Sequence, residues 1–132
     1  KTFDTVSHQH ILMGLKQRRV DPHIINLIKN MYENIYTCIT TKDEKSDPLK
    51  ILSGVKQGDP KSRLLFNLVL DPLLCRLERK GKGYQRGKYH ITATAFADDL
   101  VLLSDSWEGR AQNLKILETF CDLTGLKTQG EK

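Results

Sequence analysis

No run of about 18 apolar residues, the length a membrane-spanning helix needs, occurs in this sequence. No signal-peptide pattern is visible in it. Cysteine is sparse: Cys38, Cys75 and Cys121 lie far apart, with no CxxC pair and no Cys/His ligand spacing. That excludes a zinc module or a dithiol redox centre and leaves three reduced core residues of an intracellular protein. The four histidines are scattered and read as structural or exposed. Basic residues are spread rather than blocked, 21 Lys and Arg against 16 Asp and Glu, for a net charge of +5. Such a balance permits a nucleic-acid partner without requiring one. There is no internal repeat, no low-complexity linker and no domain boundary. An initial methionine is also lacking, so the chain, starting at Lys1, reads as a piece of something longer. The 132 residues suit one domain with one modest core, and a 39% hydrophobic share excludes wholesale disorder.

What is present centres on Ala95-Phe96-Ala97-Asp98-Asp99-Leu100-Val101-Leu102-Leu103. Tyr89 to Ala97 alternates with a period of two, and Leu100 to Leu103 is a short apolar run. Both read as strand, giving a hairpin with Asp98 and Asp99 at its bend. Adjacent carboxylates repel unless a cation neutralises them. Oxygen ligands on a rigid strand end suit a hard ion such as Mg²⁺. Against this stands a plainer reading, a solvated Asp-Asp turn.

Along the chain, Ser7 caps a helix whose apolar face carries Ile11, Leu12 and Leu15. Asp21-Pro22 starts a second helix, with Ile24, Leu27, Ile28, Met31 and Ile35 as its core stripe. Tyr36 to Thr41 and Leu49 to Leu52 form a hairpin across a polar turn. Asp59-Pro60 is another cap-and-proline start, and Leu64 to Leu77 is a buried helix that Pro72 kinks or divides at Asp71. Residues 81–88 form a basic, glycine-rich connector, either a phosphate-touching loop or a flexible surface loop. Asp105 with Glu108 makes a capping box for a last helix. That helix places Trp107, Ala111, Leu114, Leu117 and Cys121 on one face and ends at Gly125. The fold class is α+β, antiparallel strands with helices packed on one face.

Three stretches then align with a known pattern. Lys1-Thr2-Phe3-Asp4-Thr5-Val6-Ser7-His8, Gly54-Val55-Lys56-Gln57-Gly58-Asp59-Pro60 and Phe96-Ala97-Asp98-Asp99 resemble motifs A, B and C of a reverse transcriptase, in order and at fitting spacing. Residues 125–132, ending in Lys132, resemble motif D. The closest flavour is that of the non-LTR retrotransposons, the LINE and R2-like group. The resemblance implies a partial reverse transcriptase domain over residues 1–132, a palm with part of the fingers, lacking the thumb and the N-terminal fingers. It implies Asp98 and Asp99 as metal-binding catalytic acids of the FADD motif, and two Mg²⁺ ions. It also implies that Phe3 blocks the 2′-OH of an incoming dNTP, that Gln57 and Gly58 lie beside nucleotide and template, and that Lys132 is a general acid for pyrophosphate. Implied partners are an RNA template, a DNA primer with its 3′-OH and dNTP. Missing fingers and thumb, and possible endonuclease regions, would belong to a longer polyprotein. The implied location is intracellular, the nucleus if functional.

Departures from the pattern shape the expectations. The family's motif A resembles Asp-x-x-Lys-Ala-Phe-Asp, and its metal-binding first acid falls three residues before Lys1. Asp4 follows Phe3, so on a strand it points the other way and leads into the first helix instead. With Asp98 and Asp99 alone the two-metal set is incomplete, and the expectation is an inactive chain. Motif B resembles Gln-Gly-Asp-Pro-Leu-Ser-Pro-Leu-Leu-Phe-Asn, with Lys61 and Arg63 standing where leucine and proline belong. Facing the core, those charges would be costly; facing a template groove, they could meet phosphate. The alternative to a polymerase fragment is a non-catalytic nucleic-acid-binding relic of a retrotransposon.

Overall fold

The computed structural model describes residues 5–56, 58–97 and 99–128. Within them the order is α1 (His8–Gln17), α2 (Pro22–Glu33), β1 (Tyr36–Thr37), β2 (Leu49–Lys50), α3 (Pro60–Lys80), β3 (Tyr84–Arg86), β4 (Tyr89–Ile91), β5 (Ala93–Phe96), β6 (Asp99–Leu102) and α4 (Trp107–Thr124). The strands pair as three antiparallel hairpins, β1–β2, β3–β4 and β5–β6. The α+β class is as expected.

The two cap-and-proline helix starts share one solution. Asp21 Oδ1 accepts the His23 amide at 2.8 Å, Asp59 Oδ1 accepts the Lys61 amide at 2.9 Å, and each proline stands at the first helical position. A proline there loses no helical hydrogen bond, since that amide has no partner inside the helix. Gly125 ends α4 in the left-handed region, φ 74°, and its amide donates to Cys121 O.

α3 organises the packing. It contacts α1 and α4 and touches β5. Leu65, Phe66 and Val69 of α3 join Val6, Ile11, Leu15, Tyr32, Val55 and Leu126 in one core. Of the two expectations for Pro72, a kink or a division at Asp71, the division is corrected: α3 runs through it undivided from Pro60 to Lys80. Phe66 and Val69 are buried before the proline, Leu73 and Leu77 after it. Each such side chain is worth about 1.5–3 kcal/mol on burial, which together exceeds the roughly 3 kcal/mol an interior proline costs. Burial therefore wins.

Other corrections follow from what lies inside. Ser7 occupies the N-cap of α1 but makes no side-chain cap bond. On α2, Ile25 and Ile28 pack against the core, as does Ile35 just beyond its end, and Tyr32 is buried in it, whereas Ile24 and Leu27 of the expected stripe are exposed. The capping box is not formed. Ser106 is the N-cap of α4, extended at φ −141°, and its Oγ accepts the Gly109 amide at 3.1 Å. The buried face of α4 is Gly109, Asn113 and Thr124, with Trp107 74% exposed. The 81–88 connector is no loop. Most of it is the β3–β4 hairpin, turning at Gly87 with φ 58°. The long expected strand breaks at Thr92, which is buried and whose carbonyl accepts the Leu103 amide at 2.8 Å. Cys38, Cys75 and Cys121 are free and half-buried. Burial, and then the carboxylates of Asp122 and Glu118, push the Cys121 thiol up, away from thiolate chemistry.

One stability prediction arises here. Gly14 lies inside α1, and a Cβ placed on it would meet Leu68 Cγ at 3.5 Å and Cδ2 at 3.6 Å, ordinary contact distances. Gly14→Ala is expected to stabilise the chain by about 0.5–1 kcal/mol, through helix propensity alone. A urea unfolding midpoint that rises bears this out; one that falls shows that the α1–α3 contact excludes even a methyl.

Candidate functional site

The β5–β6 hairpin carries the acidic motif. Its register pairs Ala93 with Leu102, Thr94 with Val101, Ala95 with Leu100 and Phe96 with Asp99. Asp99 is thus the first residue of β6, opposite Phe96 at the turn end of the ladder. Side chains alternate along β6: Leu100 and Leu102 are half-buried, whereas Asp99 and Val101 are exposed. Phe96 is 82% exposed across from Asp99. Asp98 lies outside the described residues, as do Phe3, Gln57 and Lys132. Of the expected site residues, the structure therefore describes Asp99 and Gly58.

Ala97, the residue after β5, has φ 52°. A side chain in that left-handed conformation costs roughly 1–2 kcal/mol, and glycine adopts it freely. Ala97→Gly is expected to raise stability by about 1 kcal/mol, less whatever the unfolded chain gains in freedom. Thermal unfolding checks it, and a lower melting temperature would contradict it.

Gly58 sits in the turn before α3 with φ 82° and is exposed. A Cβ there would meet nothing within 4 Å. Backbone conformation, not crowding by this chain, is what calls for glycine. No hydrogen bond joins Gly58 to Asp99, which lie on separate elements.

Lys61 and Arg63 are both exposed on the first turn of α3. Lys61 Nζ lies 3.9 Å from Asp59 Oδ2 and 4.0 Å from Met31 Sδ. Neither charge enters the core, so the costly core-facing arrangement falls away.

Two further carboxylates are committed elsewhere. Asp59 caps α3, and Asp71 pairs with Arg18, tying the end of α1 to α3. Among the described residues no three His, Cys, Asp or Glu side chains gather in a group that could hold a metal ion. Asp99 alone does not fit a two-metal clamp.

A residue that hydrophobic patterning passed over supports the hairpin from below. Asn113 of α4 is fully buried. Its Oδ1 accepts the Lys82 amide at 2.8 Å, and its Nδ2 donates to Lys82 O at 2.9 Å and to Leu103 O at 3.3 Å. One amide thus joins the exit of α3 to the end of β6. The chain must approach closely to allow this: a Cβ on Gly81 would fall 2.6 Å from Thr92 Cγ2 and 2.8 Å from Asn113 Oδ1. No sequence signal marked it: Asn113 is one of many polar residues along α4.

The family model described as reverse transcriptase (RNA-dependent DNA polymerase) matches residues 1–132. This chain belongs to the reverse transcriptase family. Among relatives of this reverse transcriptase chain is the Retrovirus-related Pol polyprotein from type-1 retrotransposable element R2 of Nasonia vitripennis. It is 38% identical over 130 residues, which are 98% of this chain and 12% of that protein. A protein of the same description from Popillia japonica is 38% identical over 134 residues, 100% of this chain and 19% of its own length. The Pol polyprotein from type-2 retrotransposable element R2DM of Drosophila melanogaster is 36% identical over 132 residues, covering 100% of this chain and 12% of that protein. The reverse transcriptase chain is therefore similar to R2-type non-LTR elements along its whole length. It spans between 12% and 19% of the length of these relatives. No helix among the described residues is long and apolar enough to cross a membrane.

Proposed function

We propose that this chain is the palm, with part of the fingers, of an R2-like RNA-directed DNA polymerase, over residues 1–132. The reaction is RNA-templated addition of dNTP to a DNA 3′-OH, with pyrophosphate leaving. The observation that carries the proposal is Asp99 on the exposed end of a tight β-hairpin, directly after Asp98, in a chain of this family. Paired carboxylates on a rigid strand end suit the hard cation that phosphoryl transfer uses, here Mg²⁺.

Roles follow residue by residue as part of the same proposal. Asp98 is the more direct metal ligand and Asp99 its partner. Phe3 excludes the ribonucleotide 2′-OH, Gln57 and Gly58 flank nucleotide and template, and Lys132 donates a proton to the leaving group. Exposed Lys61 and Arg63 are available to template phosphate. Action on a nuclear DNA target fits this reading. By itself the chain is proposed to be inactive, because Asp98 and Asp99 need a further carboxylate to bridge two ions, as in other two-metal sites.

Primer extension on an RNA template tests the reading. The 132-residue chain alone is expected to incorporate nothing. The longest polypeptide that carries this chain and an acid from motif A is expected to incorporate dNTP. Incorporation by neither, together with salt-sensitive RNA binding that survives Asp99→Asn, would favour the non-catalytic binding module instead.

A further inference from the structure

The described residues on either side of position 57, 54–56 and 58–60, are tied to the core through polar bonds. At the entry to this loop, the Gly54 amide donates to Val6 O at 2.8 Å, and Ser7 and Ser53 form an antiparallel bridge. His8 Nε2 lies 2.9 Å from Gly54 O. A carbonyl only accepts, so Nε2 carries the proton in this contact. At its exit, Ser62 Oγ donates to Lys56 O, and the Tyr32 hydroxyl reaches both the Ser62 side chain and the Lys56 backbone. The rings of His8 and Tyr32 pack with centroids 4.6 Å apart, which makes entry and exit a single cluster.

Tyr32 (6% exposed), Ser62 (7%), Gly54 and Val55 of this cluster are buried and His8 is half-buried, while Lys56 and Gly58 of the tip they hold are exposed. Burial raises the Tyr32 hydroxyl above its ordinary pKa, so it stays protonated. A buried hydroxyl must find partners, and these find theirs in the loop backbone. The loop therefore cannot shift without leaving polar groups of α1, α2 and α3 unpaired. Gly58, at φ 82°, precedes Asp59, whose amide donates to Lys56 O at 3.3 Å.

We propose that His8 and Tyr32 are positioning residues that clamp the 54–60 loop and so set how tightly an incoming nucleotide is held beside Gly58. The inference rests on the reading above that residues 57 and 58 face the nucleotide, and it adds two residues outside the catalytic acids.

Two measurements test it together. The first is amide exchange at Asp59, whose N–H donates to Lys56 O at 3.3 Å, compared with amides in the middle of α4. Tyr32→Phe and His8→Leu are expected to speed Asp59 exchange about 10-fold while the α4 amides keep their rates, since local opening need not lower global stability. His8→Gln, which retains an N–H donor, is expected to restore protection. The second is steady-state incorporation by the longest active polypeptide carrying this chain. There Tyr32→Phe is expected to raise KM for dNTP about 10-fold with kcat little changed, the signature of lost ground-state binding.

Exchange that is unchanged, or that speeds equally in α4, overturns the clamp. Local exchange with an unchanged KM overturns the link to the nucleotide while leaving the loop anchored. If the unsubstituted polypeptide copies no RNA, the polymerase reading fails, and the Asp59 exchange rate still decides the clamp.

Discussion

Asp99→Asn is expected to lower RNA-templated dNTP incorporation by about 10³-fold or more in the longest active polypeptide that carries this chain. The substitution is nearly isosteric. Asp99 is exposed at the end of β6, so its amide equivalent keeps the ladder pairing with Phe96 and buries nothing new. What it removes is one negative charge. A carboxylate placed to stabilise charge as phosphoryl transfer proceeds is worth several kcal/mol at the transition state, and an amide oxygen replaces little of that. Stability should barely move, because an exposed surface substitution away from caps and networks lies within about 0.5 kcal/mol. The informative result is therefore a pair: kcat falls by orders of magnitude while the urea midpoint stays put. Asp98→Asn should behave alike or more severely. Retention of full incorporation by both variants would leave the FADD hairpin as a solvated turn and remove the basis of the proposed activity.

The largest effect on folding is expected at Asn113. Asn113→Ala removes three hydrogen bonds from a fully buried side chain, to Lys82 N, Lys82 O and Leu103 O. Leaving a buried backbone group unpaired costs about 1–3 kcal/mol, and partial access of water near Lys82 reduces the sum. A loss of about 2–4 kcal/mol follows, a large share of the total stability of a domain this size. Asn113→Asp keeps the acceptor for the Lys82 amide but sets a carboxylate against two carbonyl oxygens, so it should not rescue. Equilibrium unfolding of the two variants beside the parent decides the matter. A loss below about 1 kcal/mol for Asn113→Ala would mean that these bonds are exchanged for water at no net cost. Because Asn113 also holds the end of β6, its loss should loosen the hairpin that presents Asp99, and incorporation should fall along with stability.

These two residues stand on opposite sides of what a linear chain discloses. The hairpin that carries Asp99 was legible, because an alternating run followed by a short apolar run reads as two strands about a bend. Asn113 was not. Periodicity weighs apolar residues, and it set the inner face of α4 through Trp107, Ala111 and Leu114. The true inner face turns about a buried polar group whose partners lie 31 and 10 residues away. His8 and Tyr32 were missed for the same reason: each is ordinary within its own helix and acts only across elements.

Local chemistry determined the rest of what could be read directly. An Asp before a proline starts a helix because side chain and missing amide solve the same terminus. Gly125 ends one because only glycine takes φ 74° without cost. Such features depend on a few neighbouring residues, so the sequence by itself determined them, along with the α+β class and the motif order that places the chain among reverse transcriptases. The tertiary structure alone decided that Pro72 would be carried inside an unbroken α3, that Lys61 and Arg63 would face solvent, and that the basic connector would become a hairpin. In each case the outcome turned on burial and on hydrogen-bond partners distant in the chain. Those free energies match or exceed the local preferences, and they do not exist until the elements meet.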